Sequence, residues 1–158
     1  MDYKFELENG RAEQRVCAII YNLEGNKILA FRVIGRDFWM LPGGRKNLFE
    51  TSENAIKREI KEELGLELDF KFKLTAEVIM KINENTFDQT NFVYTSYCDE
   101  TLVKNGTRPI DNDGQEFAWL EIDKIEQGVL EPSDFIKYVK ENDDKSYNIR
   151  NVLSLCEK

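Results

Sequence analysis

The chain contains no histidine and only three cysteines among its 158 residues. Zinc sites in proteins are built mainly from histidine and cysteine side chains, so we do not expect a zinc centre. Cys17, Cys98 and Cys156 are odd in number, lie far apart and form no Cys-x-x-Cys motif. A disulfide framework is therefore not expected either, and free thiols in a reducing cytoplasm are the favoured interpretation.

Long apolar runs, a basic amino terminus and an excess of positive charge are also missing. No apolar run approaches the roughly 18 residues that a membrane-spanning helix needs. Residues 1–11 are acidic and polar, which is not the pattern of a signal peptide. The net charge of −8 disfavours a protein that coats nucleic acid. We expect one domain over residues 1–158 and no membrane partner, since this length is typical of a single domain.

Apolar and alternating runs predict the order of the elements. Strands are expected over residues 3–8, 15–22, 27–33, 66–82, 87–98 and 116–120. The second and third should form a hairpin, and residues 66–82, as one long strand or two with a bend, should pair antiparallel with residues 87–98. A short apolar segment over 38–41, a polar loop over 99–114, a helical turn over 121–128 and helices over 132–142 and 147–156 complete the prediction. The sum is a mixed sheet flanked by helices.

The most informative stretch covers residues 44–66, GRKNLFETSENAIKREIKEELGL. Apolar residues recur in it at helical spacing, at Ala55, Ile56, Ile60 and Leu64. Thr51 or Ser52 can cap the first turn through its hydroxyl oxygen, and Gly65 can end the helix in a left-handed conformation. One helix is therefore predicted within this stretch.

The predicted helix carries an acidic row. Glu59 neighbours both Glu62 and Glu63 at helical spacing, and like charges placed so repel by roughly 0.2–0.5 kcal/mol per pair. A hard divalent cation reverses this effect, because it binds carboxylate oxygens directly. The alternative is a solvated acidic face, offset by neighbouring basic residues and by an Arg58–Glu62 ion pair.

The stretch also matches a longer pattern, G-x5-E-x7-R-E-U-x-E-E-x-G-U, where U is a bulky aliphatic residue and x is any residue. The positions are filled by Gly44, Glu50, Arg58, Glu59, Ile60, Glu62, Glu63, Gly65 and Leu66. The pattern resembles the signature of the Nudix hydrolases, which cleave a nucleoside diphosphate linked to another group. The preceding Trp-x-Leu-Pro-Gly-Gly at residues 39–44 is similar to the usual approach to this helix. The resemblance implies an α/β fold, the α/β/α sandwich with a mixed sheet.

The resemblance also implies roles for the signature residues. Glu59, Glu62 and Glu63 would bind Mg²⁺, or Mn²⁺ as an alternative, and the carbonyl oxygen of Gly43 would be a further ligand. Glu50 and Arg58 would form an ion pair that fixes the loop against the helix. We interpret this pair as mainly structural, and contact between Glu50 and the metal through water stays open.

The general base is not settled by the sequence. It is either a glutamate of the signature or one on a distant loop, and Glu116 lies about where many family members place such a residue. For Glu116 the alternative is that it is only a solvent-facing carboxylate on a strand, and the sequence supports the two interpretations about equally. Glu100 and Glu84 are weaker candidates from adjoining loops.

Basic and aromatic residues near the predicted site are candidates for binding a small nucleotide. Arginine suits phosphate because a guanidinium binds it with two donors, although for each basic residue taken alone a role in surface solubility is favoured. The basic candidates are Arg32, Arg36, Arg45 and Lys46, and the aromatic ones, which could instead be core residues, are Phe38, Trp39 and Tyr21.

The substrate expected from the resemblance is a nucleoside triphosphate, an oxidised nucleotide or a nucleotide sugar. A catalytically silent domain that senses a nucleotide is the alternative, and a homodimer stays open. The sequence departs from many family members at Asn47 and Phe49, where they have glutamate and glycine. Phe49 leaves the loop before Glu50 in doubt, because a β-carbon excludes backbone angles that glycine allows.

Overall fold

The computed structural model describes residues 1–143 of the chain. This part contains seven strands and two helices: β1 Lys4–Leu7, β2 Gly10–Asn22, β3 Lys27–Val33, β4 Gly43–Arg45, α1 Ser52–Leu64, β5 Lys71–Ile82, β6 Asn85–Cys98, β7 Gln115–Glu121 and α2 Ile136–Glu141. Short 3-10 turns lie at Glu100–Leu102, Ile122–Lys124 and Ser133–Phe135. None of the helices in residues 1–143 combines the length and the apolar character needed to cross a membrane.

The sheet is arranged around β2. Along one edge β2 pairs in parallel with β6, from Gly10 opposite Thr86 to Asn22 opposite Cys98. Along the other edge it pairs antiparallel with β1, then β4, then β3. β3 meets β2 at only two positions near the hairpin turn and pairs with β7 over its full length. The sheet is therefore mixed, as predicted.

Side chains of β2 alternate between two hydrophobic cores, because successive residues of a strand point to opposite faces. Those on one face are Cys17, Ile19 and Tyr21, and those on the other are Val16, Ala18 and Ile20. The first face is covered by α2 and the turn before it, through Phe135 and Val139. The second is covered by α1 through Ala55, Ile56 and Ile60. This arrangement confirms the α/β/α sandwich.

Local signals at both ends explain where α1 begins and ends. The Thr51 hydroxyl accepts a hydrogen bond from the backbone N–H of Asn54 at 3.2 Å, which satisfies one donor of the first turn. Gly65 follows the helix with a φ of 69°, and its N–H donates to the carbonyl of Lys61 at 2.9 Å. The helix predicted from spacing and caps is therefore confirmed.

The first residues of the chain lie along the loop that leads to α1. The N–H of Tyr3 donates to the carbonyl of Lys46 at 2.8 Å, and the N–H of Leu48 donates to the carbonyl of Met1 at 2.9 Å. Asp2 and Asn47 form an isolated antiparallel bridge between these two contacts. The amino-terminal segment thus supports the loop that carries the start of the signature.

The predicted hairpin and the antiparallel β5–β6 pair are confirmed, but the strand expected over residues 66–82 begins only at Lys71. Pairing with β6 starts where Lys71 lies opposite Thr95. Leu66, Leu68 and Phe70 pack against the α1-side core instead. Their alternation therefore reflects core packing and not a strand.

Other boundaries also differ from the prediction. The helix expected over 132–142 consists of the turn Ser133–Phe135 followed by α2, and that over 121–128 is the turn Ile122–Lys124. The loop over 99–114 contains one such turn, Glu100–Leu102. The segment at 38–41 contributes only isolated bridges. The helix predicted over 147–156 lies outside the described residues.

Candidate active site

Arg58 fastens the loop before α1 to the helix. Its Nε donates to Glu50 Oε1 at 2.8 Å, and its Nη2 donates to Glu50 Oε2 at 3.0 Å. The N–H of Asn47 donates to the same Oε2 at 3.0 Å, and Nη2 also donates to the carbonyl of Arg45 at 3.0 Å. The bonds from Arg58 hold the pKa of the Glu50 carboxyl below its usual value. The ion pair is therefore present with a structural function, and contact between Glu50 and a metal stays a prediction.

Phe49 shows how the loop accommodates its departure from the family pattern. Its φ is 63°, in the left-handed region that glycine enters easily and other residues rarely adopt. Such a conformation costs about 1–3 kcal/mol in a residue with a β-carbon. The side chain is fully exposed. A phenylalanine at this position thus does not prevent the turn that precedes Glu50.

The signature glutamates lie around Arg58. Its Nη1 donates to Glu59 Oε1 at 2.9 Å and to Glu62 Oε2 at 3.2 Å. Burial, followed by the charges of Glu59 and Asp111, raises the pKa of Glu63 to about 8. Burial also raises the pKa of Glu59. Three carboxylates on one face thus retain a charge repulsion that Arg58 offsets only in part.

Within residues 1–143, no three acidic or cysteine side chains are already gathered as a metal cluster. Arg58 Nη1 instead donates hydrogen bonds to one oxygen each of Glu59 and Glu62, the kind of oxygen that a bound cation would use as a ligand. The side chain of Glu62 is 49% exposed, so it has room to reorient. The donor set itself, carboxylate oxygens on one helix face, fits a hard cation such as Mg²⁺.

Two glycines bring β4 close to this face. A Cβ built on Gly44 would lie 2.3 Å from the carboxyl carbon of Glu59, so only glycine leaves that carboxylate its present place. A Cβ on Gly43 would lie 2.0 Å from the carbonyl oxygen of Val16. The close packing of β4 against both β2 and Glu59 therefore depends on the Gly-Gly pair. The Gly43 carbonyl as a metal ligand stays a prediction.

A carboxylate that sequence reasoning missed lies beside Glu63. The N–H of Ile110 donates to the carbonyl of Glu63 at 2.9 Å and fixes the β6–β7 loop at the end of α1. The next residue is Asp111, whose charge contributes to the raised pKa of Glu63. The sequence offered only a weak indication of this carboxylate, an Asp-Asn-Asp run inside a polar loop.

Glu116, the predicted distant glutamate, lies on β7 opposite Arg32 of β3. Arg32 Nε donates to Glu116 Oε1 at 2.7 Å, and its guanidinium lies 4.6 Å from the ring centre of Trp39. The structure thus groups three predicted site residues with one another. Of the weaker candidates, Glu100 accepts from Asn22 at 3.0 Å, and Glu84 lies exposed in the β5–β6 turn.

A cleft with a volume of about 250 Å³ opens on the α2 side of the sheet. Its floor consists of cross-strand pairs between β2 and β6, Arg11–Phe87, Glu13–Gln89 and Arg15–Asn91. Its walls include Phe31, Met40, Met80 and the predicted residues Arg36 and Phe38. Arginines combined with aromatic and methionine side chains give a surface suited to an anion that carries an apolar ring.

Glu13 organises the floor of the cleft. Its side chain is fully buried and lies 2.8 Å from Arg45 Nε, 3.1 Å from Arg11 Nε and 3.4 Å from Arg15 Nη1. Burial raises the pKa of Glu13, but the arginine charges outweigh it and hold the pKa below its usual value. Arg11 and Glu13 were missed because the strand was expected to begin at Arg15, whereas β2 begins at Gly10. The alternation of Arg11, Glu13 and Arg15 was the available signal.

The remaining predicted binding residues have other partners. Arg45 is bonded to Glu13 and, at 3.0 Å, to Asp2. Lys46 lies 5.4 Å from the ring centre of Tyr3. Tyr21 is buried and donates to the carbonyl of Val139 at 2.7 Å, so it is a core residue, the alternative considered for it.

Arg15 connects the cleft to the acidic helix by way of β4. This arginine lines the cleft, and its charge partly opposes the rise in the pKa values of Glu59 and Glu63. It lies opposite Arg45 of β4, next to Gly44, which packs against Glu59. The basic cleft and the acidic helix face are therefore separated by β4 alone. The NUDIX domain profile matches residues 12–139, which include the helix and all of the cleft floor except Arg11. The chain belongs to the Nudix family. It is a Nudix hydrolase, as the signature predicted.

Similar proteins agree with this family assignment. The chain is 28% identical over 127 residues to an 8-oxo-dGTP diphosphatase of Haemophilus influenzae, covering 76% of this chain and 84% of that protein. It is 43% identical over 51 residues to an RNA pyrophosphohydrolase of Pseudomonas putida, covering 32% of each. The solved structure of a mutator MutT protein from Bacillus halodurans has a TM-score of 0.66 at 15% identity, covering 89% of this chain and 90% of that one. The last comparison supports the Nudix fold alone.

We expect Gly44→Ala to inactivate the enzyme while leaving it folded. The added methyl group overlaps the Glu59 carboxylate and must displace it. A displacement of about 1 Å can lower a rate roughly 100-fold, so we expect a loss of about that size in kcat. Gly114→Ala is the control, since Gly114 is exposed, does not adopt a left-handed φ, and its added carbon would approach only the exposed Asn112 side chain, at 3.2 Å. Equal activity of Gly44→Ala and wild type would show that the position of Glu59 is unimportant.

We expect Glu63→Gln to stabilise the metal-free protein at alkaline pH. The pKa of Glu63 is about 8 in the folded protein, against 4.5 for the free group. Protonated Glu63 thus favours the folded state below pH 4.5, and this contribution is lost as pH rises towards 8. Each unit of pKa difference corresponds to about 1.4 kcal/mol, and we expect the variant to gain at least that by pH 9.

Urea unfolding in chelator at pH 5 and pH 9 measures this effect. The exposed Glu84→Gln serves as the control. Identical pH dependence of the unfolding free energy in wild type and Glu63→Gln would contradict the raised pKa.

Proposed function

We propose that the enzyme hydrolyses a diphosphate bond in a small nucleotide, with Mg²⁺ bound by Glu59, Glu62 and Glu63 and Mn²⁺ able to replace it. The observation that carries this proposal is that Arg15 of the basic cleft pairs with Arg45 of β4, next to Gly44, which packs against Glu59 of the acidic helix. A nucleotide in the cleft can place its phosphates at the helix face while its base remains among aromatic side chains.

The protein's own groups divide the work of binding and reaction. Arg11, Arg15 and Arg36 line the cleft and attract the anionic substrate. Arg58 holds the loop before α1 against the helix through its two hydrogen bonds to Glu50. When bound, the cation would neutralise phosphate oxygens and lower the pKa of a water. Gly44 gives the Glu59 carboxylate the room to take part.

For the general base, three candidates stand: a signature glutamate, Glu116 and Asp111. Asp111 is supported by its electrostatic contact with Glu63. Glu116 accepts a hydrogen bond from Arg32 on Oε1, and its ion pair with Arg32 holds it at the β3–β7 edge. The hydrogen bond that holds Ile110, the neighbour of Asp111, at the carbonyl of Glu63 favours a carboxylate at the end of α1.

The candidate substrates are nucleoside triphosphates, oxidised nucleotides and nucleotide sugars. The names of these two relatives, 8-oxo-dGTP diphosphatase and RNA pyrophosphohydrolase, place 8-oxo-dGTP among the oxidised nucleotides that should be tested and add RNA to the set. The alternative is a silent domain that senses a nucleotide, which the retained signature glutamates disfavour. A cytoplasmic location and the option of a homodimer remain part of the proposal.

The first experiment measures phosphate release from these nucleotides with Mg²⁺ and with chelator. Pyrophosphatase and phosphatase serve as coupling enzymes. We expect turnover of one class, abolished by chelator and restored by Mg²⁺ or Mn²⁺. Binding of one nucleotide without any turnover would favour the sensor, and turnover that persists in chelator would contradict the metal requirement.

Glu62→Gln tests the metal ligands themselves. The amide keeps the shape of the side chain and removes its charge, so we expect a loss of kcat of about 100-fold or more with the fold intact. Glu67→Gln is the matched control, because Glu67 is exposed and pairs with Lys61. Titration with Mn²⁺ by electron paramagnetic resonance should show weakened binding only in the first variant. Unchanged turnover in Glu62→Gln would remove Glu62 from the ligand set.

A further inference from the structure

Three side chains on the cleft floor form a chain of hydrogen bonds. Gln89 Nε2 donates to Glu13 Oε1 at 2.8 Å. Asn91 Nδ2 donates to Gln89 Oε1 at 3.4 Å. Both amides are buried and both line the cleft, with Gln89 7% exposed and Asn91 5% exposed. The chain runs along one face of β6, since its two amides are two residues apart.

The direction of this chain follows from the chemistry of its first member. Glu13 is ionised among three arginines, and an ionised carboxylate can only accept hydrogen bonds. Gln89 must therefore turn its NH₂ group towards Glu13, which leaves its oxygen facing Asn91. Asn91 must in turn direct its NH₂ group to Gln89. A flip of either amide would place two acceptors, or two donors, against each other.

We propose that Asn91 Oδ1, held in this orientation by Glu13 and Gln89, accepts a hydrogen bond from an exocyclic amino group of the substrate's base. The inference rests on the proposed function, because it takes the occupant of the cleft to be a nucleotide. Asn91 is the specificity-determining residue, and Gln89 is a positioning residue. The selected class is a nucleotide of guanine, adenine or cytosine, against bases that lack the amino group.

Two further observations favour the base over the phosphates as the partner of Asn91. A phosphate oxygen is an acceptor and gains nothing from an amide oxygen that is fixed as an acceptor. The cleft already offers phosphates the donors of Arg11, Arg15 and Arg36. An exocyclic amino group projects beyond the ring edge, so it reaches a buried amide on the floor more readily than a ring N–H does.

The test compares pairs of nucleotides that differ by one amino group. The pairs are guanine with hypoxanthine, adenine with unsubstituted purine, and cytosine with pyrimidin-2-one, each in the phosphorylated form that the enzyme hydrolyses. A site that binds a polar group rejects the analogue lacking it, so we expect wild type to favour the amino member of at least one pair by about tenfold or more in kcat/KM.

Variants then assign the preference to the hydrogen-bond chain. We expect Asn91→Leu and Gln89→Leu to reduce the ratio to about twofold or less, since neither retains a fixed acceptor. Thr90→Val, on the opposite face of β6, should keep the wild-type ratio. Circular dichroism confirms folding, and Gln89→Leu provides a second route if Asn91→Leu does not fold.

The outcomes separate this inference from the function on which it rests. Wild type that hydrolyses nucleotides without favouring any amino member overturns the role of Asn91, whatever the variants do. A wild-type preference that persists in Asn91→Leu does the same. Wild type that neither binds nor hydrolyses any nucleotide overturns the proposed function and this inference together.

Discussion

The site depends on the ion pairs between the buried carboxylate of Glu13 and its arginine partners. The carboxylate lies under the cleft, and its arginine partners come from β2 itself and from β4. Arg45, the partner from β4, accepts through its carbonyl from Arg58, which in turn holds Glu50 and contacts the signature glutamates. The cleft floor and the acidic helix are thus joined by one continuous set of ion pairs and hydrogen bonds. Removing Glu13 would leave three arginines without their shared buried counter-ion, which is destabilising.

The sheet places this network where two kinds of chemistry meet. β2 carries core residues on both faces over its second half, but its first half carries charged side chains towards the cleft. The short strand β4 lies against this half and brings its glycines within reach of the helix. The pairing of β4 with β2 thus places the basic cleft and the acidic helix face on either side of one short strand, β4. Opposite charges at this boundary also make the site able to attract an anion and a cation at once.

Sequence reasoning succeeded where the determining contacts are local. The caps of α1, its apolar spacing and the signature are all contained within residues 44–66, so they could be recognised without a structure. The cleft could not be recognised, because Glu13 and Gln89 become neighbours only through the parallel pairing of β2 with β6. Asp111 likewise reaches Glu63 only because a loop returns to the end of α1. The start of β5 was misplaced since alternation alone does not distinguish a paired strand from a segment packed on a core.

The loop before α1 is held by residues from both directions along the chain. On one side the segment at Met1 to Tyr3 pairs with it, and on the other Arg58 reaches back to Glu50. The contact between Arg58 and Glu50 is local, but the contacts of Met1 and Tyr3 with residues 46–48 require the closure of a large loop, whose entropy opposes them until the surrounding structure has formed. In kinetic terms we therefore expect the helix that carries the signature to form early and the loop before it to be fixed only when the first strand has joined the sheet.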